Sequence, residues 1–101
     1  MQHLLYGLAS VLVGDAAASA VLEYAVALNQ SRLSDLVTVP TVDTAGYRTT
    51  VRMLLAPGVP IMSEEAPDDA LEPEDRAFVR ELRARTVAVL AGGAVPPSRA
   101  G

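Results

Sequence analysis

The sequence has no cysteine, no tryptophan, no lysine and only one histidine among its 101 residues. Without cysteine there is no disulfide framework, no thiolate nucleophile and no cysteine-ligated metal site. Because His3 is the single histidine, a histidine-pair metal site within one chain is excluded. The sequence also contains no nucleophile motif with which a catalytic histidine could work. We therefore expect no metal, no cofactor and no histidine-based catalysis.

Positive charge is also scarce: the chain has eight arginines and twelve acidic residues, which gives a formal net charge of −4. Broad nucleic-acid binding normally requires a basic surface, so we expect no nucleic-acid partner. The missing lysine and the 17 alanines are typical of a GC-rich coding sequence. This composition predicts a bacterial source.

Long hydrophobic runs are absent too. The apolar run at residues 4–13 is half the length of a membrane span, which needs about 20 apolar residues. Extending it along the chain would bury Asp15 and Glu23 in lipid. A secretory signal would begin with positive charge, but only Gln2 and His3 follow the first methionine before the run. We expect no membrane association and a cytoplasmic location.

What is present is the composition of a folded globule, with 50% hydrophobic and 20% charged residues. Apolar periodicity and turn residues predict the order strand, helix, strand, strand, helix. The predicted elements are a strand at 4–13, a helix at 16–29 capped by Asp15, strands at 36–42 and 47–56, and a helix at 73–90. We expect one α+β domain over residues 1–91, a mixed sheet of three or four strands packed with two helices. Its first helix would connect parallel strands by a right-handed crossover.

The two middle strands are predicted to form a β-hairpin. Asp43 opens the intervening turn and Gly46 closes it, which is typical of a type I turn followed by a left-handed residue. Two other segments have the composition of exposed chain. Residues 63–72 are acidic and contain proline, which predicts a solvated linker, and residues 92–101 predict a flexible tail.

The linker carries two carboxylate pairs, Glu64 with Glu65 and Asp68 with Asp69. General acid–base catalysis needs a carboxylate whose pKa is shifted, usually by burial, and a hydrated loop gives the opposite environment. The segment also lacks the alternating oxygen ligands and central glycine of a calcium-binding loop. No phosphate-binding glycine motif occurs in the chain. The sequence thus favours a non-catalytic protein.

A polar stripe on the second hairpin strand is the first candidate for binding. Arg48, Thr50 and Arg52 share one strand face, and Tyr47 precedes them. Arginine suits carboxylates and phosphates, so this stripe could contact an anion or an acidic partner. The alternative is an ordinary solvent-exposed sheet face. A concave site gathering these residues would favour ligand binding, whereas a flat stripe would favour protein interaction.

The second candidate is the first predicted strand, which is apolar on both faces. Two helices on one side of the sheet would leave its other face open, and an open apolar patch usually marks an interface. Leu5, Val11 and Val13 are the interface candidates. Either a second subunit or the second helix would cover them. We expect a protein that acts by association, as a homodimer or with another protein. The alternative is a small-ligand or anion binder, or a minor enzyme, with a pocket between the first helix and the sheet or at a dimer seam.

Overall fold

The computed structural model describes residues 1–7, 9–66 and 75–92. Within these residues the chain forms two helices and five strands, which confirms a small α+β fold. In chain order the elements are β1 (Gln2–Tyr6), β2 (Ala9–Val13), α1 (Asp15–Ser31), β3 (Asp35–Val42), β4 (Arg48–Leu55), β5 (Ile61–Glu65) and α2 (Arg76–Leu90). The order is therefore ββαβββα. Compared with the predicted order, there are two strands instead of one before α1 and three instead of two between the helices.

The first apolar run is a hairpin and not the single strand that the sequence predicts. The chain reverses after Tyr6, and Gly7 adopts a φ of +60°, a left-handed conformation that glycine reaches without strain. Leu4 then lies opposite Val11 in an antiparallel ladder. All ladders among the described strands are antiparallel, and β2 and β3, which α1 connects, belong to different sheets, so the predicted parallel crossover does not form.

The strands form two small antiparallel sheets, one with the order β2-β1-β5 and one with the order β3-β4. The sheets meet where β2 lies beside β3, and the Thr41 hydroxyl donates a hydrogen bond to the carbonyl oxygen of Leu12 across this seam. Thr41 is buried there. Within the described residues, β4 pairs only with β3 and β5 only with β1. These two strands therefore present the outer edges of the fold.

The core lies between one face of the strands and α1. Small residues on α1, among them Ala17, Ala18 and Ala20, allow the helix to approach closely, and Tyr24 and Leu28 fill the space beyond them. The strands contribute buried side chains from both sheets: Leu4, Val13, Val37, Val39, Met53 and Leu55. The second helix packs along α1 and adds Leu82 and Val89 to the same core.

Both helix starts differ in detail from the prediction. Gly14, not Asp15, is the N-cap of α1. The Asp15 carboxylate instead accepts a hydrogen bond from the side-chain amide nitrogen of Gln2 at 3.1 Å. Helix α2 begins at Arg76, and the Asp75 carboxylate caps it by accepting from the Phe78 amide at 3.0 Å. The predicted start at Pro73 lies outside the described residues. The predicted end at Leu90 is confirmed.

The acidic linker begins later than predicted, since residues 63–65 are the last three residues of β5. Ser63 in this strand donates to the Gln2 side-chain oxygen at 2.8 Å. Residues 67–72 of the predicted linker and residues 93–101 of the predicted tail lie outside the described residues. The assignment of residues 1–91 to one domain stays a prediction.

The hairpin turn between β3 and β4 is confirmed. Gly46 has a φ of +85°, and its amide donates to the Asp43 carbonyl oxygen at 3.0 Å. The Asp43 carboxylate accepts from the amides of Ala45 and Tyr47 at 2.9 and 3.0 Å. An aspartate that hydrogen-bonds the turn and a glycine at positive φ together set the β3–β4 register.

Replacing Gly46 with valine should lower the free energy of unfolding by at least ~1 kcal/mol, because a β-branched side chain is strained at positive φ. The matched control is Gly46→Asn, since asparagine tolerates the left-handed region and should cost less. Urea denaturation of both variants checks this. An equal midpoint for Gly46→Val and the parent would contradict the assigned role of this glycine.

Candidate functional site

The predicted arginine stripe lies on the outer face of β4. Arg48, Thr50 and Arg52, which we call the arginine strip, alternate along this strand and are all exposed. They lie opposite Val42, Pro40 and Thr38 of β3, respectively. Within the described residues neither guanidinium of the strip forms an ion pair. The strip therefore presents two hydrated positive charges on one side of an edge strand.

Two leucines extend the same face beyond the strip. Leu36 of β3 and Leu54 of β4 lie directly opposite each other, and 45% and 54% of their respective surfaces are exposed. Tyr47, the fourth predicted contact residue, precedes β4 and is 73% exposed. The structure thus brings charged and apolar side chains together on an open sheet face, not in a concave pocket. Such a face suits contact with a macromolecule better than enclosure of a small ligand.

An apolar cleft of about 330 Å³ borders the other side of β4. It is lined by Leu4, Tyr6, Ala9, Val11, Val51, Arg52, Met53 and Leu54. Four consecutive residues of β4 take part, although successive side chains of a strand point to opposite faces. The backbone edge of β4 therefore forms one wall of the cleft, and β1 and β2 form the other. Arg52 belongs both to this cleft and to the arginine strip.

The three interface candidates from the sequence do not share one face, which is a correction to that prediction. Val13 is fully buried in the core and is not available for an interface. Val11 lines the cleft, and Leu5 lies on the opposite face of β1, where it is half-buried. The physical reason is the turn at Gly7, which reverses the chain and places Leu4, not Leu5, beside Val11.

A polar cluster that the sequence did not predict lies inside the fold. The Asp35 carboxylate accepts a hydrogen bond from the Tyr24 hydroxyl at 2.6 Å and one from the Arg85 guanidinium at 2.7 Å. Glu81, one helical turn before Arg85, is a more distant partner at 3.7 Å and is exposed. The cluster joins α1, β3 and α2, because each of its three main residues comes from a different element.

Burial explains the electrostatics of this cluster. Desolvation, reinforced by the hydrogen bond to Asp35, raises the pKa of Tyr24 to about 12. Burial alone would lower the pKa of Arg85, but the hydrogen bond with Tyr24 and the charge of Asp35 raise it on balance. The arginine and the tyrosine therefore keep their protons at neutral pH. Tyr24 is fully buried and Arg85 nearly so, which leaves no approach for a substrate. We assign the cluster a structural role.

One feature of the sequence could have indicated this cluster. Arg85 lies three residues after Leu82 and four before Val89, so it falls on the apolar stripe of its helix. An arginine in that position needs an internal acceptor. No comparable pattern in the sequence selects Asp35 as its partner, because the pairing depends on how the first residue of β3 meets two helices.

Two further clefts are open to solvent. One, of about 710 Å³, lies between the first turns of α1 and α2 and includes Arg76 and Arg80, but also Asp15 and Asp75. The other, of about 650 Å³, lies between α1 and the turn before β5, and Asn29 supplies its single polar side chain. The second occupies the place predicted for a ligand pocket between helix and sheet. It lacks the convergent polar groups that orient a bound small molecule.

In the described parts of the chain, no three acidic or histidine side chains come together as metal ligands. Neither helix described there has the length and apolar character required to cross a membrane. Comparison with known proteins finds no relative, since no family model, no curated protein and no solved structure matches the chain.

The polar cluster predicts a strong energetic coupling between Asp35 and Arg85. Asp35→Ala and Arg85→Met should each lower the free energy of unfolding by about 2–4 kcal/mol, because each leaves a buried charge without its main partner. The double variant should lose about 1–3 kcal/mol less than the sum. A urea-denaturation cycle measures this coupling, with exposed Arg83→Ala as the neutral control. Additive losses would contradict the coupling.

Alkaline pH should weaken the fold through Tyr24. Its pKa is near 10 in the unfolded chain and about 12 in the folded protein, so the folded state holds the proton more tightly. The resulting stabilisation is complete below pH 10 and is lost as the pH rises from about 10 to 12. We expect the urea midpoint of the parent to fall over this interval, and Tyr24→Phe to show a shallower fall. Parallel pH profiles for both proteins would refute this role.

Proposed function

We propose that the protein is a non-catalytic association module that binds another protein through the outer face of the β3–β4 hairpin. The observation that supports this most directly is the composition of that face. Two arginines of the edge strand β4, without ion pairs among the described residues, share their face with two exposed leucines, Leu54 of β4 and Leu36 of β3. Arginine next to apolar surface is typical of the energetically important part of protein interfaces.

The sign of the charge favours a partner with an acidic surface. The chain has a net charge of −4, yet the arginine strip is positive and is therefore a local exception. Exposed carboxylates of a partner could accept bidentate hydrogen bonds from Arg48 and Arg52. Charges on an edge strand also discourage unwanted pairing. That role alone would not account for the exposed leucines on the same face.

A homodimer formed by two copies of β4 is less favourable. Side-by-side antiparallel pairing places the arginine strips of both copies on the same sheet face, where like charges repel. A partner other than the chain itself avoids this cost. The composition and the membrane observation are compatible with our further expectation that the association takes place in the bacterial cytoplasm.

Site-specific photo-crosslinking in the native cell tests the proposal. A photoreactive amino acid replaces Thr50, at the centre of the arginine strip, and in a control chain replaces Arg83 on the exposed side of α2. We expect a defined crosslinked product from position 50 and none of the same mass from position 83. A band at twice the chain mass of 10.6 kDa would identify a homodimer, contradicting the proposed partner while retaining association.

Charge reversal provides the second arm of this test. Arg48→Glu with Arg52→Glu should abolish the product at position 50, because the strip would then repel an acidic partner. Arg76→Glu with Arg80→Glu changes the net charge equally on α2 and should leave the product intact. No product from position 50, or a product indifferent to reversal of the strip, would overturn the proposed binding face.

A further inference from the structure

We infer that the edge of β4 binds an extended segment of an acidic protein as an added β-strand, with apolar side chains of that segment entering the cleft beside β4. This inference rests on the proposed function and specifies the class of partner and its mode of binding. The sequence features required of the partner are an extended backbone, acidic residues at alternate positions and apolar residues between them.

The first support is the exposed hydrogen-bonding edge. Strand β4 spans 8 residues and is paired on one side only within the described residues. At a rise of roughly 3.4 Å per residue, the strand is long enough to pair with a peptide of several residues. Backbone groups along an unpaired edge are the template used when peptides add to existing sheets.

The second support is the position of the apolar cleft. Since the consecutive residues Val51–Leu54 all line it, the cleft reaches the backbone edge of β4. A strand paired to this edge would direct every second side chain towards the opposite wall, where Tyr6 and Val11 lie. Small or branched apolar side chains fit a cleft of about 330 Å³.

The third support is charge complementarity on the opposite face of the same edge. Side chains of the added strand that alternate with the apolar ones would lie beside the arginine strip, whose members point outward. Acidic side chains there would face Arg48 and Arg52, and basic side chains would be repelled. The cleft and the strip therefore require opposite chemistry at alternate positions, which is the pattern of an amphipathic strand.

A set of synthetic peptides tests the inference on the full chain. The probe is a fluorescently labelled, end-capped peptide of alternating valine and glutamate with the length of β4. Three controls change one property each: lysine replaces glutamate, serine replaces valine, or alternate backbone amides are N-methylated. Fluorescence anisotropy gives the affinities. Amide NMR shifts show whether binding occurs at β4.

We expect the valine–glutamate peptide to bind roughly tenfold more tightly than each control. Its binding should shift the amide resonances of β4 before those of the helices. The Arg48→Glu/Arg52→Glu variant should prefer the valine–lysine peptide, because the charges of the strip are reversed. The Arg76→Glu/Arg80→Glu variant, with the same net charge, should behave as the parent does.

Equal affinity for the N-methylated peptide would overturn strand addition, and equal affinity for the serine peptide would overturn use of the cleft. Unchanged charge preference in the Arg48→Glu/Arg52→Glu variant would overturn recognition by the strip. These failures differ from failure of the proposed function. If the crosslink at Thr50 persists while the peptides fail these tests, association through the outer face stands and the strand-addition mode falls.

Discussion

The Asp35 carboxylate holds three parts of this small fold together. Asp35 is the first residue of β3, and its carboxylate accepts hydrogen bonds from Tyr24 of α1 and Arg85 of α2. Its position explains the layer arrangement. A second helix that must deliver an arginine to this carboxylate packs along α1 and is not available to cover the β4 edge. The internal charge pair and the exposed hairpin thus both follow from the packing of α2 along α1.

Local chemistry accounts for the parts of the fold that could be predicted from sequence. Asp43 and Gly46 define a turn by their own conformational preferences, and Gly92, at a φ of +85°, follows the end of α2 in a conformation that glycine adopts without strain. The turn at Gly7 was missed because its neighbours are apolar on both sides and contain no polar turn residue. Hydrophobic periodicity alone does not distinguish one long buried strand from two short ones folded on each other.

In the candidate site, too, features set by local sequence could be predicted and features set by tertiary packing could not. The arginine strip follows from the two-residue period of a strand, so its members could be selected from the sequence. The cleft could not, because Val11 and Val51 approach each other only after two hairpins have packed across a seam. Val13 was misassigned for a related reason, since it is buried only through its place in the core that residues from several elements form together. Non-local packing determines which apolar residues remain accessible.

The seam between the sheets has a consequence for how this protein moves. Within the described residues, the hydrogen bond that crosses it runs from the Thr41 hydroxyl to the Leu12 carbonyl, whereas continuous backbone ladders hold each sheet internally. The weakest line through the strands therefore runs between β2 and β3. Partial opening along that line would separate the sheets locally near Thr41 while each ladder stays intact and Asp35 holds the other end of β3 against the helices. Amide hydrogens at the seam should then exchange with solvent through brief separations far less costly than global unfolding.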